Sequence, residues 1–235
     1  GVPYSYEILT RIGLKNIKIE TLKYLTHAGG KLEKEKLKEI IKFCKKNNLK
    51  FFSMYGQTEA SPRISYLKPE FSQKKIGSIG KGIPGSKIYI IDNTSKKIIK
   101  PFVEGEIICE GKNVFMGYSN NYKDLKKANE ENYKLKTGDL GFVDKDGFLY
   151  ITSRISKIAK IFGNRVDLGA LESLMSQKSY KVACLSDNKI VFIFIEKKYN
   201  KTNLINTISK ITNLNVNSFE LIKLKYLPRT SNNKI

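Results

Sequence analysis

The run Tyr55-Gly56-Gln57-Thr58-Glu59 gathers side-chain types that suit a phosphorylated nucleotide. An aromatic ring can stack on a base, and a glycine lets the backbone approach a phosphate closely. A hydroxyl can bond a phosphate oxygen, and a carboxylate can hold Mg2+. Five residues of this kind also describe an ordinary strand-end turn, so the run gains weight only from what accompanies it. Thr137-Gly138-Asp139 places a carboxylate at a turn, where it could accept both hydroxyls of a ribose. Ser153-Arg154, Lys160 and Gly163 follow, and Leu227-Pro228-Arg229-Thr230 with Lys234 closes the sequence.

The elements that must position these residues are readable from periodicity. Residues 22–26 form a short expected strand that runs into Ala28-Gly29-Gly30, a turn signal. Across residues 31–47, Leu37, Ile40, Ile41 and Cys44 recur at helical spacing with charges on the other face. Residues 50–53 then resemble a buried strand ending in Tyr55-Gly56, and strand–helix–strand at this length indicates an α/β unit with a parallel sheet. From residue 77 to 153 the character changes to short strands, expected at 87–91, 105–110, 140–144 and 148–152, the last two joined by Lys145-Asp146-Gly147. Beyond Arg154 the sequence predicts a helix over 167–177, a hairpin of 181–185 with 189–196, a helix over 203–212 and a strand over 219–226. The expected architecture is therefore α/β and α+β: residues 1–76 end an α/β subdomain, 77–153 make a β-rich, barrel-like subdomain, and 154–235 make a small mobile α+β domain.

Gly80-Lys81-Gly82-Ile83-Pro84-Gly85 matches the GxGxxG dinucleotide fingerprint letter by letter. That fingerprint holds a pyrophosphate only when a strand precedes it and a helix opens on its last glycine. Here Pro84-Gly85 leads into a β-branched, alternating stretch, so the run reads as a structural turn.

Composition excludes several classes. A hydrophobic fraction of 40% with 11% aromatics belongs to a globular chain that can bury a core. The longest apolar run, residues 190–195, is far too short to cross a bilayer, and no basic, apolar leader opens the sequence. Cys44, Cys109 and Cys184 are scattered and fit no metal-ligand spacing, which points to buried thiols in a reducing, cytoplasmic setting. The net charge of +21 invites a nucleic-acid partner. Against it, only five of the 43 basic residues are Arg, and no basic block is interleaved with stacking aromatics. A general lysine bias explains the charge, and no nucleic-acid partner is expected.

Taken in order, Gly29-Gly30, the Tyr55–Glu59 run, Gly105-Glu106 with Gly117-Tyr118, Thr137-Gly138-Asp139, Arg154 and the terminal lysine resemble the adenylate-forming superfamily. That superfamily comprises acyl-coenzyme A synthetases, peptide-synthetase adenylation domains and firefly luciferases. The resemblance covers essentially all 235 residues, as the C-terminal half of such an enzyme. Residues 55–60 together with Ser65-Tyr66-Leu67 look most like bacterial acyl-coenzyme A synthetases.

The resemblance implies a role for each position. Tyr55 would flank the adenine with Gly56 beside it, Thr58 would bond phosphate, and Glu59 would hold Mg2+. Asp139 would grip the ribose hydroxyls, supported by Arg154. Lys234 would contact the acid and the α-phosphate of ATP as acyl-AMP forms. After the small domain swings round, Gly163 would lie beside the coenzyme A channel and Lys160 would approach the site. Gly29, Gly30 and Ala60 would border the acyl pocket. His27 is open between a packed strand residue and a substrate contact. The implied reaction joins a carboxylic acid to AMP and then to coenzyme A, or to a carrier protein. A non-catalytic basic binding protein on the same fold is the remaining alternative.

Some positions depart from the family. Ser156 stands where the hinge usually has Asp or Lys, residue 153 is Ser rather than Gly, and Asn232-Asn233-Lys234 lacks the usual Gly before the lysine. The family's Gly/Ser/Thr-rich phosphate loop and its acid gate would lie upstream of Gly1, so these 235 residues alone are expected to be inactive.

Overall fold

In the computed structural model, residues 1–14, 20–127, 132–196 and 199–229 are described. The chain divides into two compact units, Gly1–Thr152 and Ser153–Ile235.

The first unit opens with α1 (Pro3–Ile12), β1 (Tyr24–His27), α2 (Lys34–Lys46), β2 (Lys50–Tyr55), β3 (Ser65–Leu67) and β4 (Lys81–Gly82). They build a sheet in the order β1-β2-β3-β4, with β1 and β2 parallel and the other pairs antiparallel. A parallel pair needs a crossover, and α2 supplies it. Its Leu37, Ile40, Ile41 and Cys44 are all buried, and pack with Tyr6, Leu32 and Phe51. Burying each of the larger of these side chains contributes about 1.5–3 kcal/mol.

A second sheet holds β5 (Ser86–Ile91), β6 (Lys97–Ile98), β7 (Gly105–Gly111), β8 (Lys134–Val143) and β9 (Leu149–Arg154), in the order β6-β5-β7-β8-β9. This β-rich part is an open sheet and not a closed barrel, with the two-residue β6 at one edge. An isolated bridge from Gly80 to Leu149 stitches the two sheets together. The GxGxxG run thus contains the two-residue strand β4 and turns at Ile83–Gly85 into β5, and no helix follows it.

Thr137-Gly138-Asp139 differs from expectation. It lies inside β8, not at a hairpin turn. Glu106 pairs with Leu140 but Ile108 pairs with Lys136, so β8 carries extra residues there and bulges out of register. Gly138 supplies the left-handed φ of 69° that the bulge uses. The Asp-Gly hairpin does form, with Gly147 at φ 80°. Asp144 Oδ1 accepts the N–H groups of Asp146 and Phe148, both at 2.9 Å.

Lys75 pins that hairpin. Its Nζ donates to Asp144 Oδ2 at 2.7 Å, reaches Asp146, and lies over the Phe148 ring. Burial by itself would raise the Asp144 carboxyl, but the Lys75 ammonium and the two N–H donors outweigh it and hold the pKa below its usual value. A folded pKa below the unfolded one stabilises above the unfolded value, near ~4, and that contribution is lost as pH falls through the folded value. Urea unfolding between about pH 5 and pH 3 should therefore show a flatter acid loss for Lys75→Met than for wild type. Parallel losses would show that Lys75 does not set the Asp144 titration.

The second unit contains β10 (Ile158–Ile161), β11 (Asn164–Asp167), α3 (Leu168–Gln177), β12 (Val182–Ser186), β13 (Val191–Ile195), α4 (Lys201–Thr212) and β14 (Phe219–Lys223). β10 and β11 form a hairpin, and the other strands order as β12-β13-β14, with β13 and β14 parallel across α4. Asp167 caps α3 by accepting from Ala170 N at 2.9 Å, and Asn200 caps α4 by accepting from Asn203 N at 3.0 Å. The core includes Leu171, Met175, Cys184, Ile193 and Ile208. All three cysteines are buried and free, and burial raises Cys44 to about 11 and Cys184 to about 12. Among the described residues, no helix is long and apolar enough to span a membrane.

Candidate active site

β1 and β2 run parallel, with His27 in register with Ser53, and β2 runs two residues further to Tyr55. The segments that leave their carboxyl ends are Gly29-Gly30 and Gly56–Glu59, at the edge where α/β sheets usually bind ligands. Gly29 and Gly30 follow a strand that exposes little of His27, which is 6% accessible. Among the described residues neither nitrogen of that ring has a hydrogen-bond partner, and Tyr6 packs edge-on at 5.8 Å. Burial lowers the His27 pKa to about 4, so the imidazole is neutral at physiological pH. An uncharged, enclosed ring fits the packed-strand reading and does not suit a general base at neutral pH.

Tyr55 is the last residue of β2 and is 9% accessible, its ring set among Ala60, Ile64 and Ile107. The phenol donates to Asp139 Oδ2 at 2.6 Å across 84 residues of sequence. Gln57 Nε2 donates to the same oxygen at 2.9 Å and to the Thr137 carbonyl at 2.8 Å. Thr137 itself is buried, giving its hydroxyl to the Ile107 carbonyl at 2.8 Å while accepting from Asp139 N at 3.1 Å. The strand end and the β8 bulge are thus one hydrogen-bonded junction. Asp139, at 8% accessible, is a carboxylate that accepts donors from both Tyr55 and Gln57.

Gly56 has a structural reason to be glycine: a Cβ there would lie 1.9 Å from the Pro62 carbonyl oxygen. Thr58 to Ala60 form a single 3-10 turn, with Thr58 exposed and Ala60 fully buried. Between them Glu59 is fixed at its backbone, whose carbonyl accepts Phe115 N at 2.8 Å. Its Oε1 accepts the Tyr118 hydroxyl at 2.6 Å. A held, half-buried single carboxylate matches what Mg2+ asks of a protein, since that ion keeps water and substrate phosphates as its other ligands.

The first unit thus brings Tyr55, Gly56, Thr58, Glu59 and Asp139 to one place, with Ala60 beneath them and Gly29 and Gly30 at the neighbouring strand end. In the second unit, Arg154 ends β9. Lys160 lies on β10, opposite Arg165, and its N–H donates to Asn188 Oδ1 at 3.2 Å. Gly163 forms the β10–β11 turn with Phe162, at φ 81° and 46°. A Cβ on Gly163 would meet nothing within 4 Å, so this turn presents bare backbone. Lys234 falls outside the described residues. A cavity of about 320 Å3 opens at the other end of β2, beside Cys44 and Phe51, and has no part in this constellation.

Three participants escaped the sequence reading: Gln57, Thr137 and Tyr118. Gln57 and Thr137 sit inside the motifs already marked, but their side chains matter only through a β2–β8 contact that no local pattern reveals. Tyr118 followed a glycine in a recognised pair, and that was its only signal.

A model of the AMP-binding enzyme family matches residues 1–119. The 2-succinylbenzoate–CoA ligase of Bacillus pumilus (strain SAFR-032) is 34% identical over 160 residues, which is 68% of this chain and 32% of that protein. The ligase of the same name from Geobacillus sp. (strain WCH70) is 26% identical over 227 residues, 92% of this chain and 45% of the relative. Among solved structures, O-succinylbenzoate coenzyme A synthetase from Bacillus subtilis in complex with ATP and magnesium superposes with a TM-score of 0.73 at 26% identity, covering all of this chain and 49% of that one. The same enzyme with its acyl-adenylate intermediate gives a TM-score of 0.75. The chain therefore spans half or less of the length of these relatives. The family match includes the whole Tyr55–Glu59 segment, and the chain belongs to the AMP-binding enzyme family.

Proposed function

We propose that this chain is the C-terminal part of an AMP-forming acid–thiol ligase that activates a carboxylic acid with ATP and passes the acyl group to coenzyme A. The observation that carries the reading is the junction of β2 with the β8 bulge, where Tyr55 and Gln57 together hold Asp139. A fixed carboxylate beside an aromatic ring is what a ribose and its base require. In the first half-reaction the acid oxygen attacks the α-phosphorus, a P–O bond to the β-phosphate breaks, and pyrophosphate leaves. In the second, the thiol sulfur attacks the acyl carbon, the bond to the AMP oxygen breaks, and the thiol proton passes to solvent.

Asp139 would orient the sugar, Tyr55 would flank the base, and Thr58 would offer its exposed hydroxyl to phosphate. Glu59 would hold Mg2+, which would offset the negative charge that builds as one anion approaches another. Arg154 would support the ribose. Lys234 would bring an ammonium to the reacting oxygens, while Lys160 and Gly163 would serve the thiol step. Most of the acceleration in such a transfer comes from positioning and electrostatics. The coenzyme A ligase activity of the relatives favours coenzyme A over a carrier protein as acceptor. It also makes 2-succinylbenzoate the first acid to try.

The test is acid-dependent exchange of pyrophosphate into ATP on the intact protein, with a panel of acids and with Lys234→Ala beside wild type. Exchange with one acid class, reduced at least about a hundredfold in the variant, is the expected result. No exchange with any acid, or equal exchange in Lys234→Ala, would remove the reading or that lysine from it.

A further inference from the structure

We propose that Gln57 is a positioning residue for the nucleotide sugar: it fixes the Asp139 carboxylate, and through it the selectivity for an intact ribose. The inference rests on the reading of Asp139 as the ribose acceptor. It assigns Gln57 a task that its place between an aromatic and a hydroxyl residue does not disclose.

The β8 bulge is a weak point in the sheet. Gly138 turns at φ 69°, and a Cβ there would touch nothing within 4 Å, so packing does not hold the tip. Hydrogen bonds must do so. Within the bulge, Thr137 ties itself to Ile107, and Gly138 N reaches Glu106 Oε1 at 3.3 Å. From outside the bulge comes the Gln57 amide. Its bonds to the Thr137 carbonyl and Asp139 Oδ2 fall on either side of Gly138, so one NH2 group spans the single soft residue. An amide nitrogen carries two donors, and these are its two short bonds, with the Tyr55 phenol oxygen farther off at 3.5 Å.

Gln57 is itself well placed for this work. It is the residue preceding the 3-10 turn, with extended backbone at φ −133° and ψ 158°. Its carbonyl accepts Ala60 N at 3.0 Å, so its Cα cannot drift from the end of β2. The position of Asp139 is thereby referred to the same turn that carries Thr58 and Glu59. Tyr55 adds a second donor to Oδ2, but the phenol reaches only the carboxylate, whereas the Gln57 amide also holds the backbone on the far side of Gly138. The amide adds no charge of its own beside the carboxylate.

The experiment compares ATP with 2′-deoxy-ATP and 3′-deoxy-ATP on the intact protein. Binding is measured by calorimetry, and turnover by pyrophosphate exchange, for wild type, Gln57→Met and Gln57→Asn. A hydrogen bond to a charged group corresponds to about tenfold to a hundredfold in binding, so wild type should prefer ATP by roughly that factor. In both variants the preference should shrink to about threefold or less, because ATP weakens while the deoxy nucleotides, which have already lost the contact, change little. Melting temperatures close to wild type would confirm that the variants are folded. If all three nucleotides weaken by one common factor, Gln57 has only a structural role. An unchanged ATP preference in the variants also overturns the proposal. If wild type itself shows no preference for ATP, the ribose reading of Asp139 fails and Gln57 fails with it.

Discussion

Replacing Glu59 with Gln is expected to lower acid-dependent pyrophosphate exchange by about a thousandfold, with the Mg2+ requirement shifting to higher concentration. The substitution is chosen to isolate charge. Gln matches Glu in size and can still accept the Tyr118 hydroxyl, now 2.6 Å from Oε1. The backbone anchor from Phe115 N to the Glu59 carbonyl is untouched. What disappears is one negative charge at the turn that follows β2. If that charge holds Mg2+, the variant should bind ATP alone nearly as well as wild type but gain little when Mg2+ is added. The companion variant Tyr118→Phe removes only the donor, and exchange should stay within about fivefold of wild type. Exchange in Glu59→Gln within about threefold of wild type would take the metal role away from this residue.

How much of this was legible beforehand varies by element, for physical reasons. α2 was readable because Leu37, Ile40, Ile41 and Cys44 repeat with the helical period and are all buried. The Asp-Gly hairpin was readable because turn chemistry is local, and Gly147 does take positive φ. α1 was not foreseen: it starts at Pro3 without a side-chain cap and buries one residue, Tyr6. With Leu9 only partly buried beside it, the helix leaves little stripe to read. The β10–β11 hairpin escaped too, because its turn is Phe162-Gly163 and a phenylalanine at φ 46° breaks the usual Asn-Gly or Asp-Gly signature.

The candidate site divides along the same line. Tyr55, Glu59 and Asp139 stood out because their residue types announce chemistry, and β2 meets β8 so that Tyr55 touches Asp139. That Asp139 sits in a bulge rather than a turn could not be read, because a bulge is a mismatch between two strands and belongs to neither alone. The work of Gln57 was hidden for the same reason, since both of its acceptors come from a segment 80 or more residues away. His27 was left open between two readings, and its burial without partners among the described residues is tertiary information.

Gly80→Ala should be the most damaging small substitution for folding, costing roughly 3–5 kcal/mol. A Cβ at Gly80 would stand 1.8 Å from the Tyr66 carbonyl oxygen, which is backbone and cannot rotate away. Relief would require parting the stitch between the sheets. Leu149 N donates to the Gly80 carbonyl, and Ile79 N donates to the Leu149 carbonyl, both at 2.9 Å. Buried Ser78 adds its hydroxyl to that same Leu149 carbonyl at 2.8 Å. For a chain of this size the melting temperature should fall by about 10 °C or more. Gly80 also sits at φ 79°, so a control is needed for the conformational cost alone. Gly85 provides it, five residues on in the same glycine-rich run: its φ is 84°, but a Cβ there meets nothing within 4 Å. Gly85→Ala should therefore cost only about 1–2 kcal/mol. A large gap between the two variants shows that the first glycine of the GxGxxG run is required by strand packing. Equal losses would show that left-handed backbone is all either glycine supplies, and would leave the close approach of Gly80 to Tyr66 without energetic weight.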